Sequence, residues 1–358
     1  MRTWVGVPMS RTMKRSLGAG AGRLAWLVLV LTAAMSFTAA LAQDRTMLVG
    51  AGSSVPGPLY NKWAQEYNKR SATIQLQYLP IGTSEGIKQI AKGSGDFGAG
   101  EVQLTAAERA ETGLTEIPAV LIGFVPVYNL PGVHQELRFS GELLAEIFMG
   151  DVKMWNDPAI AKLNPGANLP SSAINVIYRP AGKGTNYVFS EFLSKTSSKF
   201  KSRIGTSPSP KWPVGESAER SSDMADKVKA QNGAIGYIEL QYAIKNGVAY
   251  GSVENAAGRF VKASAESIVA ACRAVEAPGW DKFAPSLTNP PGEDSFPIVS
   301  FTWVYLRTSV TDAKRAAATV DFLDWMFTDG QQIASQEGYL LLPPPLMAKV
   351  KAKTHSLR

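Results

Sequence analysis

Three turns hold the residues best placed to do chemistry. Gly50-Ala51-Gly52-Ser53-Ser54, Gly82-Thr83-Ser84 and Gly182-Lys183-Gly184-Thr185 each follow an extended run and precede a helical one. A glycine and hydroxyl turn that opens a helix leaves backbone N–H groups unpaired at the positive end of the helix dipole, with hydroxyl donors beside them. Taken singly, each reads first as a helix cap, a place that Gly, Ser and Thr favour anyway. Converging at one place, the three would form an uncharged cradle for a small anion.

The parts needed for covalent chemistry are missing. Of two histidines, His134 follows Pro131-Gly132 in a loop and reads as solvated, while His355 lies in a basic tail. Neither is placed to activate a serine, and a zinc site lacks ligands. Gly50-x-Gly52 lacks the third glycine of a dinucleotide fingerprint, because Val55 stands there. Gly182-Lys183 is not a P-loop either: Gly184 follows the lysine, and Ile177 stands where the upstream glycine belongs. The acidic pairs Asp96 with Glu101 and Asp321 with Asp324 read as ordinary surface charge. A secreted phosphate-ester hydrolase would need a metal cluster or a His-activated nucleophile, so binding rather than turnover is expected, with no enzyme activity, cofactor or metal.

The elements that position these turns follow an α/β pattern, expected to be built on mainly parallel sheets. Thr46–Val49 runs into the first turn, and Pro58 opens a helix with Tyr60, Trp63 and Tyr67 on one face. Ile74, Leu76 and Tyr78 alternate with Gln75 and Gln77 as a strand before the second turn, whose helix carries Ile87 and Ile90. Residues 120–128 form a long apolar strand. Residues 174–178 form another, which leads through the third turn to a helix striped by Val188, Phe189, Phe192 and Leu193. A strand over 298–306 and a helix around 320–327 close the chain, and Pro343-Pro344-Pro345 reads as a rigid terminal turn. Cys272 falls on the apolar stripe Ile268, Cys272, Val275, where a buried thiol is expected.

The 358 residues carry 37 Lys plus Arg against 30 Asp plus Glu, a formal charge of +7. Residues 1–42 hold five of the bases (Arg2, Arg11, Lys14, Arg15, Arg23) and no acid, so the remainder is left at only +2. Four bases of that remainder (Lys349, Lys351, Lys353, Arg358) cluster in the last ten residues. No basic stripe tracks a polymer of phosphates, and nucleic acid is excluded as a partner. The basic start precedes the apolar run LAWLVLVL from Leu24 and then Ala40-Leu41-Ala42, the form of an export signal cleaved before Gln43. The apolar core is short for a transmembrane anchor, and no later run of about 18 apolar residues exists. A soluble exported protein of two domains is expected.

Several segments together resemble the periplasmic phosphate-binding protein of the phosphate-specific ABC importer, the PstS-like family. They are Gly50-Ala51-Gly52 with Pro56, Ile81-Gly82 with Lys88-Gln89-Ile90, Asp96-Phe97-Gly98-Ala99, and Ile147-Phe148-Met149-Gly150. Trp155-Asn156-Asp157-Pro158, Leu163-Asn164-Pro165-Gly166, Gly184-Thr185, Gly233-Ala234-Ile235-Gly236-Tyr237 and Asp324-Trp325 extend the likeness from about Leu48 to Pro343. It implies a two-domain periplasmic binding protein, the Venus-flytrap fold, whose hinged domains close on a dehydrated oxyanion. One domain would be residues 43–120 plus 299–358 and the other 121–298. The implied role is capture of phosphate in the periplasm by a monomer that delivers it to permease subunits, which work with cytoplasmic ATPase subunits. A paralogue tuned to an arsenate-like oxyanion or a phosphate ester, serving a sensor, is the alternative.

Carried over position by position, the family's ligand contacts fall on Ser54, the backbone of Val55, Thr83, Glu101, Arg179, Lys183, Gly184 and Thr185. Arg179 would give a forked, charge-assisted pair of bonds, and the hydroxyls would donate. Glu101 as a carboxylate only accepts, so it asks for an oxyanion that keeps a proton. Phosphate does so near neutral pH, whereas sulfate would face the carboxylate with a lone pair. The chain departs from the family at four places. Glu101 replaces Asp, Lys183 replaces Ser, Ala181 replaces an Asp that braces the arginine, and Arg220-Ser221-Ser222 replaces a Gly-Asn loop. Lys183 is left with three options: pairing with Glu101, contacting the ligand, or facing solvent with only its backbone N–H on the ligand.

Overall fold

The computed structural model describes residues 45–275 and 286–357. The export signal and its cleavage site lie outside the described residues. Twelve strands occur in chain order among those residues: β1 Thr46–Gly52, β2 Ile74–Leu79, β3 Phe97–Gly100, β4 Leu114–Asn129, β5 Arg138–Phe139, β6 Asn175–Tyr178, β7 Glu216–Ser217, β8 Ala234–Glu239, β9 Ala249–Tyr250, β10 Ser252–Glu254, β11 Phe260–Val261 and β12 Val299–Arg307. The main sheet runs β2-β1-β3-β12-β4-β8-β6-β7, with β9 beside β4; β11-β10-β5 form a small second sheet. Helices connect and cover the strands, giving the α/β fold of two lobes on a shared sheet.

The sheet is mixed rather than mainly parallel. Each wing is parallel (β1 with β2 and β3, β6 with β7 and β8), but β12 and β4 run antiparallel to their neighbours through the centre. The wings are strand–helix–strand crossovers, which force parallel pairing. The centre is where the chain passes between lobes, and no crossover helix constrains it. β4 makes that passage: Leu114–Gly123 pair with β12, then Phe124–Asn129 pair with β8. Its 16 residues begin well before the apolar run at 120. Pro118 lies where the β12 register shifts, between Thr302 and Trp303, because a residue without an N–H is tolerated in a sheet at such irregularities.

Apolar faces legible in the sequence are the buried ones. Tyr60, Trp63 and Tyr67 point inward from the helix Gly57–Arg70, with Tyr60 stacked on Tyr78 at 4.7 Å between centroids and edge-on to Trp63 at 5.0 Å. The stripe Val188, Phe189, Phe192, Leu193 is buried on the helix Gly184–Thr196, and Cys272 is buried on Ala265–Arg273. The triple proline is not a bare turn. Pro343 caps the helix Pro344–His355 and the next two prolines form its first positions, where the missing N–H would have no partner anyway. No helix among the described residues is long and apolar enough to cross a membrane.

Candidate functional site

The three glycine and hydroxyl turns meet at one place. Thr83 opens the helix Thr83–Ala91 and Gly184 opens Gly184–Thr196. The Gly184 N–H donates to Thr83 Oγ1 at 3.1 Å, and Thr83 Oγ1 donates to Glu101 Oε2 at 3.2 Å. Beside them, the Ser84 N–H donates to the Gly182 carbonyl at 3.1 Å. Arg179 Nη2 donates to Ser54 Oγ at 3.3 Å, which ties the third turn to the first. The second turn depends on Gly82, whose φ of +101° lies in the region open to glycine. Its N–H donates to the Gly52 carbonyl at 2.7 Å and so links the first two turns.

Glu101 follows β3 and is fully buried, as is Thr83. The acidic pair with Asp96 is therefore not surface charge. Asp96 is buried too, but it faces away into a two-pronged pairing with Arg315 at 2.8 and 2.9 Å and accepts the Val49 N–H. Glu101 has no cation of that kind among the described residues. Loss of hydration lifts its pKa to about 7, and the nearby Glu239 adds to the rise, while the Ser53 and Thr83 hydroxyls oppose it. The extra methylene relative to Asp carries the carboxylate to the N-terminus of the helix Gly184–Thr196. A Cβ at Gly184 would stand 2.0 Å from Glu101 Oε2 and 2.7 Å from Thr83 Oγ1, so no side chain fits there.

Arg179 lies just past β6 and is 1% exposed. Its guanidinium donates to Ser54 Oγ, to Ser221 Oγ at 3.2 Å and to the Glu219 carbonyl at 3.0 Å. Its backbone is clamped as well. The Arg179 N–H donates to Tyr237 Oη at 3.2 Å, Tyr237 Oη donates to Asn186 Oδ1 at 2.5 Å, and Asn186 Nδ2 returns to the Arg179 carbonyl at 3.0 Å. Pro180 cannot continue a strand ladder, so the chain turns and lets Asn186, on the first turn of the following helix, reach back.

Of the options left to Lys183 by the sequence, pairing with Glu101 is not the one found. The lysine side chain is largely covered and its ammonium pairs with Glu219. The other predicted residues come together: Ser54 half-buried, Val55, Thr83, Glu101, Arg179, Gly184 and Thr185 buried. The Val55 N–H is engaged by Ser53 Oγ at 3.1 Å. Burial without a partner marks several of these groups. Glu101 Oε1, Arg179 Nε, Thr185 Oγ1 and Glu239 Oε2 are all buried and make no hydrogen bond among the described residues. Such orphans cost on the order of 1–3 kcal/mol each unless something answers them. Donors (Arg179, Thr185) and an acceptor (Glu101) stand in one set, the inventory that an oxyanion keeping one proton satisfies, while Glu239 stands behind Arg179 through Ser221.

Sequence reasoning gave no part to Asn186, Glu219 and Glu239, and named Ser53, Ser221 and Tyr237 only within longer segments. One signal was available. β8 reads Ala-Ile-Gly-Tyr-Ile-Glu and every position is buried, so a charge ending an otherwise apolar central strand asks for a partner.

The profile of the PBP superfamily domain matches residues 38–330. The phosphate-binding protein PstS of Pasteurella multocida is 38% identical over 325 residues, which is 90% of this chain and 94% of that protein. The chain belongs to the PstS-like family. A PstS of Xylella fastidiosa is also 38% identical, over 85% of this chain and 83% of its own. Among solved structures, the ancestral soluble variant of the human phosphate binding protein superposes with a TM-score of 0.68 at 16% identity, covering 86% of this chain and 93% of its own. An ABC-type phosphate transport receptor from Vibrio cholerae gives a TM-score of 0.58 at 17% identity, over 82% of this chain and 100% of its own. At such identities these two speak for the fold. PstS-like proteins are substrate-binding components of transporters, and the two-lobed α/β architecture accords with that class.

Proposed function

We propose that the chain captures inorganic phosphate in the periplasm and hands it to the permease subunits of an ABC importer. The observation that carries this reading is the meeting of Arg179, Thr83, Glu101 and Thr185 around the N-terminus of the helix Gly184–Thr196, with buried donors and acceptors left unpaired. Arg179 and the hydroxyls would donate to the phosphoryl oxygens, and helix N-termini would add backbone N–H groups. Ionised Glu101 would accept the proton that phosphate retains. Lys183, held by Glu219, would contribute position and long-range charge more than a direct bond. The protein would act by binding and release, with no bond made or broken.

The two lobes would be residues 43–120 with 299–358, and residues 121–298. In support, β4 changes partners between Gly123 and Phe124, close to that boundary. Contacts from one lobe to the other (Gly184 to Thr83, Arg179 to Ser54) fit a cleft closed around a small ion. Cleavage after Ala42 would release a monomer. Equilibrium dialysis of the mature protein against radiolabelled phosphate tests the reading. Retention of one phosphate per chain is expected, and none retained would overturn it.

A further inference from the structure

Among the described residues Arg179 is the one cation buried at the base of the site, and the residue expected to brace it is absent, since Ala181 is exposed and has no carboxylate. A buried guanidinium without an acidic neighbour is costly and loosely aimed. The structure supplies an acid from a different element. Glu239, the last residue of β8, is 2% exposed, and its Oε1 accepts from Ser221 Oγ at 2.9 Å. Ser221 Oγ in turn accepts from Arg179 Nη1 at 3.2 Å. The direction of this chain is fixed by chemistry, because a guanidinium only donates, an ionised carboxylate only accepts, and a hydroxyl does one of each. Ser221 opens the helix Ser221–Ala230, within the stretch Arg220-Ser221-Ser222 where the sequence departs from its family.

We infer that Glu239 is a positioning residue: through the Ser221 hydroxyl it fixes the Arg179 guanidinium against the anion, taking the role of the missing acid beside position 181. Two departures in the sequence thereby become one compensated change. Losing the acid at 181 is tolerated because a serine at 221 connects the arginine to an acid at the end of β8. The serine also keeps the carboxylate one hydroxyl away from the guanidinium, so that Nη2 remains turned towards Ser54 and the ligand side. Buried groups that orient a liganding residue commonly matter tenfold or more to affinity.

This inference rests on the proposed binding of phosphate at Arg179, and calorimetry with inorganic phosphate on the full mature chain separates the two claims. Ser221→Ala and Glu239→Ala should each weaken binding about tenfold, and the double variant no further than either single one, because both changes break one chain. Glu239→Gln, which still accepts from Ser221, should stay within about threefold of the parent and guards against a folding defect in Glu239→Ala. No phosphate bound by the parent would defeat the functional reading itself. With the parent binding, wild-type affinity in Glu239→Ala, or losses that multiply in the double variant, would overturn the role of Glu239. Failure of Glu239→Gln to restore affinity would overturn it as well.

Discussion

Replacing Glu101 by Gln should make the ligand-free protein more stable at alkaline pH while damaging its function. Burial lifts the Glu101 pKa to about 7, against about 4.3 for an unperturbed glutamate in an unfolded chain. The folded state therefore holds a proton that the unfolded state releases between these values, so stability falls as pH rises through this window. Below about pH 4 both states are protonated and the side chain costs nothing. Above pH 7 the full cost of burying the charge is present. At roughly 1.4 kcal/mol per pH unit, a difference of nearly three units gives about 3–4 kcal/mol. Glutamine keeps the shape and an acceptor for the Thr83 hydroxyl but never ionises. The stability difference between Glu101→Gln and its parent should thus be near zero at pH 4 and about 3 kcal/mol by pH 8. Glu116 is lifted to about 7 for the same reason, but it titrates in both proteins and cancels from the difference. Denaturant unfolding in phosphate-free buffer across this range measures it. A difference independent of pH, or a variant less stable than the parent at pH 8, would refute the account of Glu101 as a desolvated carboxylate held for function.

Arg179→Ala should cost phosphate affinity about 100-fold or more, because it strands the acidic groups around a buried cation. Lys183→Ala should cost less than about tenfold, since its charge is already answered by the exposed Glu219; calorimetry that ranks them in reverse would make Lys183 the anchor. In Gly184→Ala the new Cβ would overlap Glu101 Oε2 and Thr83 Oγ1. Phosphate affinity should fall at least about tenfold, read by the same titration, and an unchanged affinity would show that the lobes need not meet there. Tyr237→Phe leaves the Arg179 N–H and Asn186 Oδ1 without their shared hydroxyl, so chemical denaturation should show a loss of about 1–3 kcal/mol.

The reach of the sequence differed by residue and by the range of the interaction. The three helix-opening turns were legible because a glycine and hydroxyl turn is a local signal, and the fold brings them together. The buried faces of Tyr60–Trp63–Tyr67 and Val188–Leu193 were legible from their periodicity. The antiparallel centre was not, because β4 and β12 are separated by most of the second lobe and their direction depends on how the chain crosses between lobes. The lysine at 183 was ambiguous for the same reason. Its partner Glu219 lies 36 residues away, on a loop with no periodic signal. Glu101 and Asp96 resembled any acidic pair on a surface, and only tertiary burial separates the one facing Arg315 from the one against Thr83. The brace through Ser221 joins three elements, and no single stretch of sequence contains it.

The most direct test of the central claim, that this cradle takes an oxyanion still bearing a proton, is competitive calorimetry at pH 8 with phosphate and sulfate. At that pH Glu101 is ionised and acts only as an acceptor. The account predicts one tightly bound phosphate per chain and no measurable displacement by sulfate. Sulfate binding as tight as phosphate, or a chain that ignores phosphate, would contradict it.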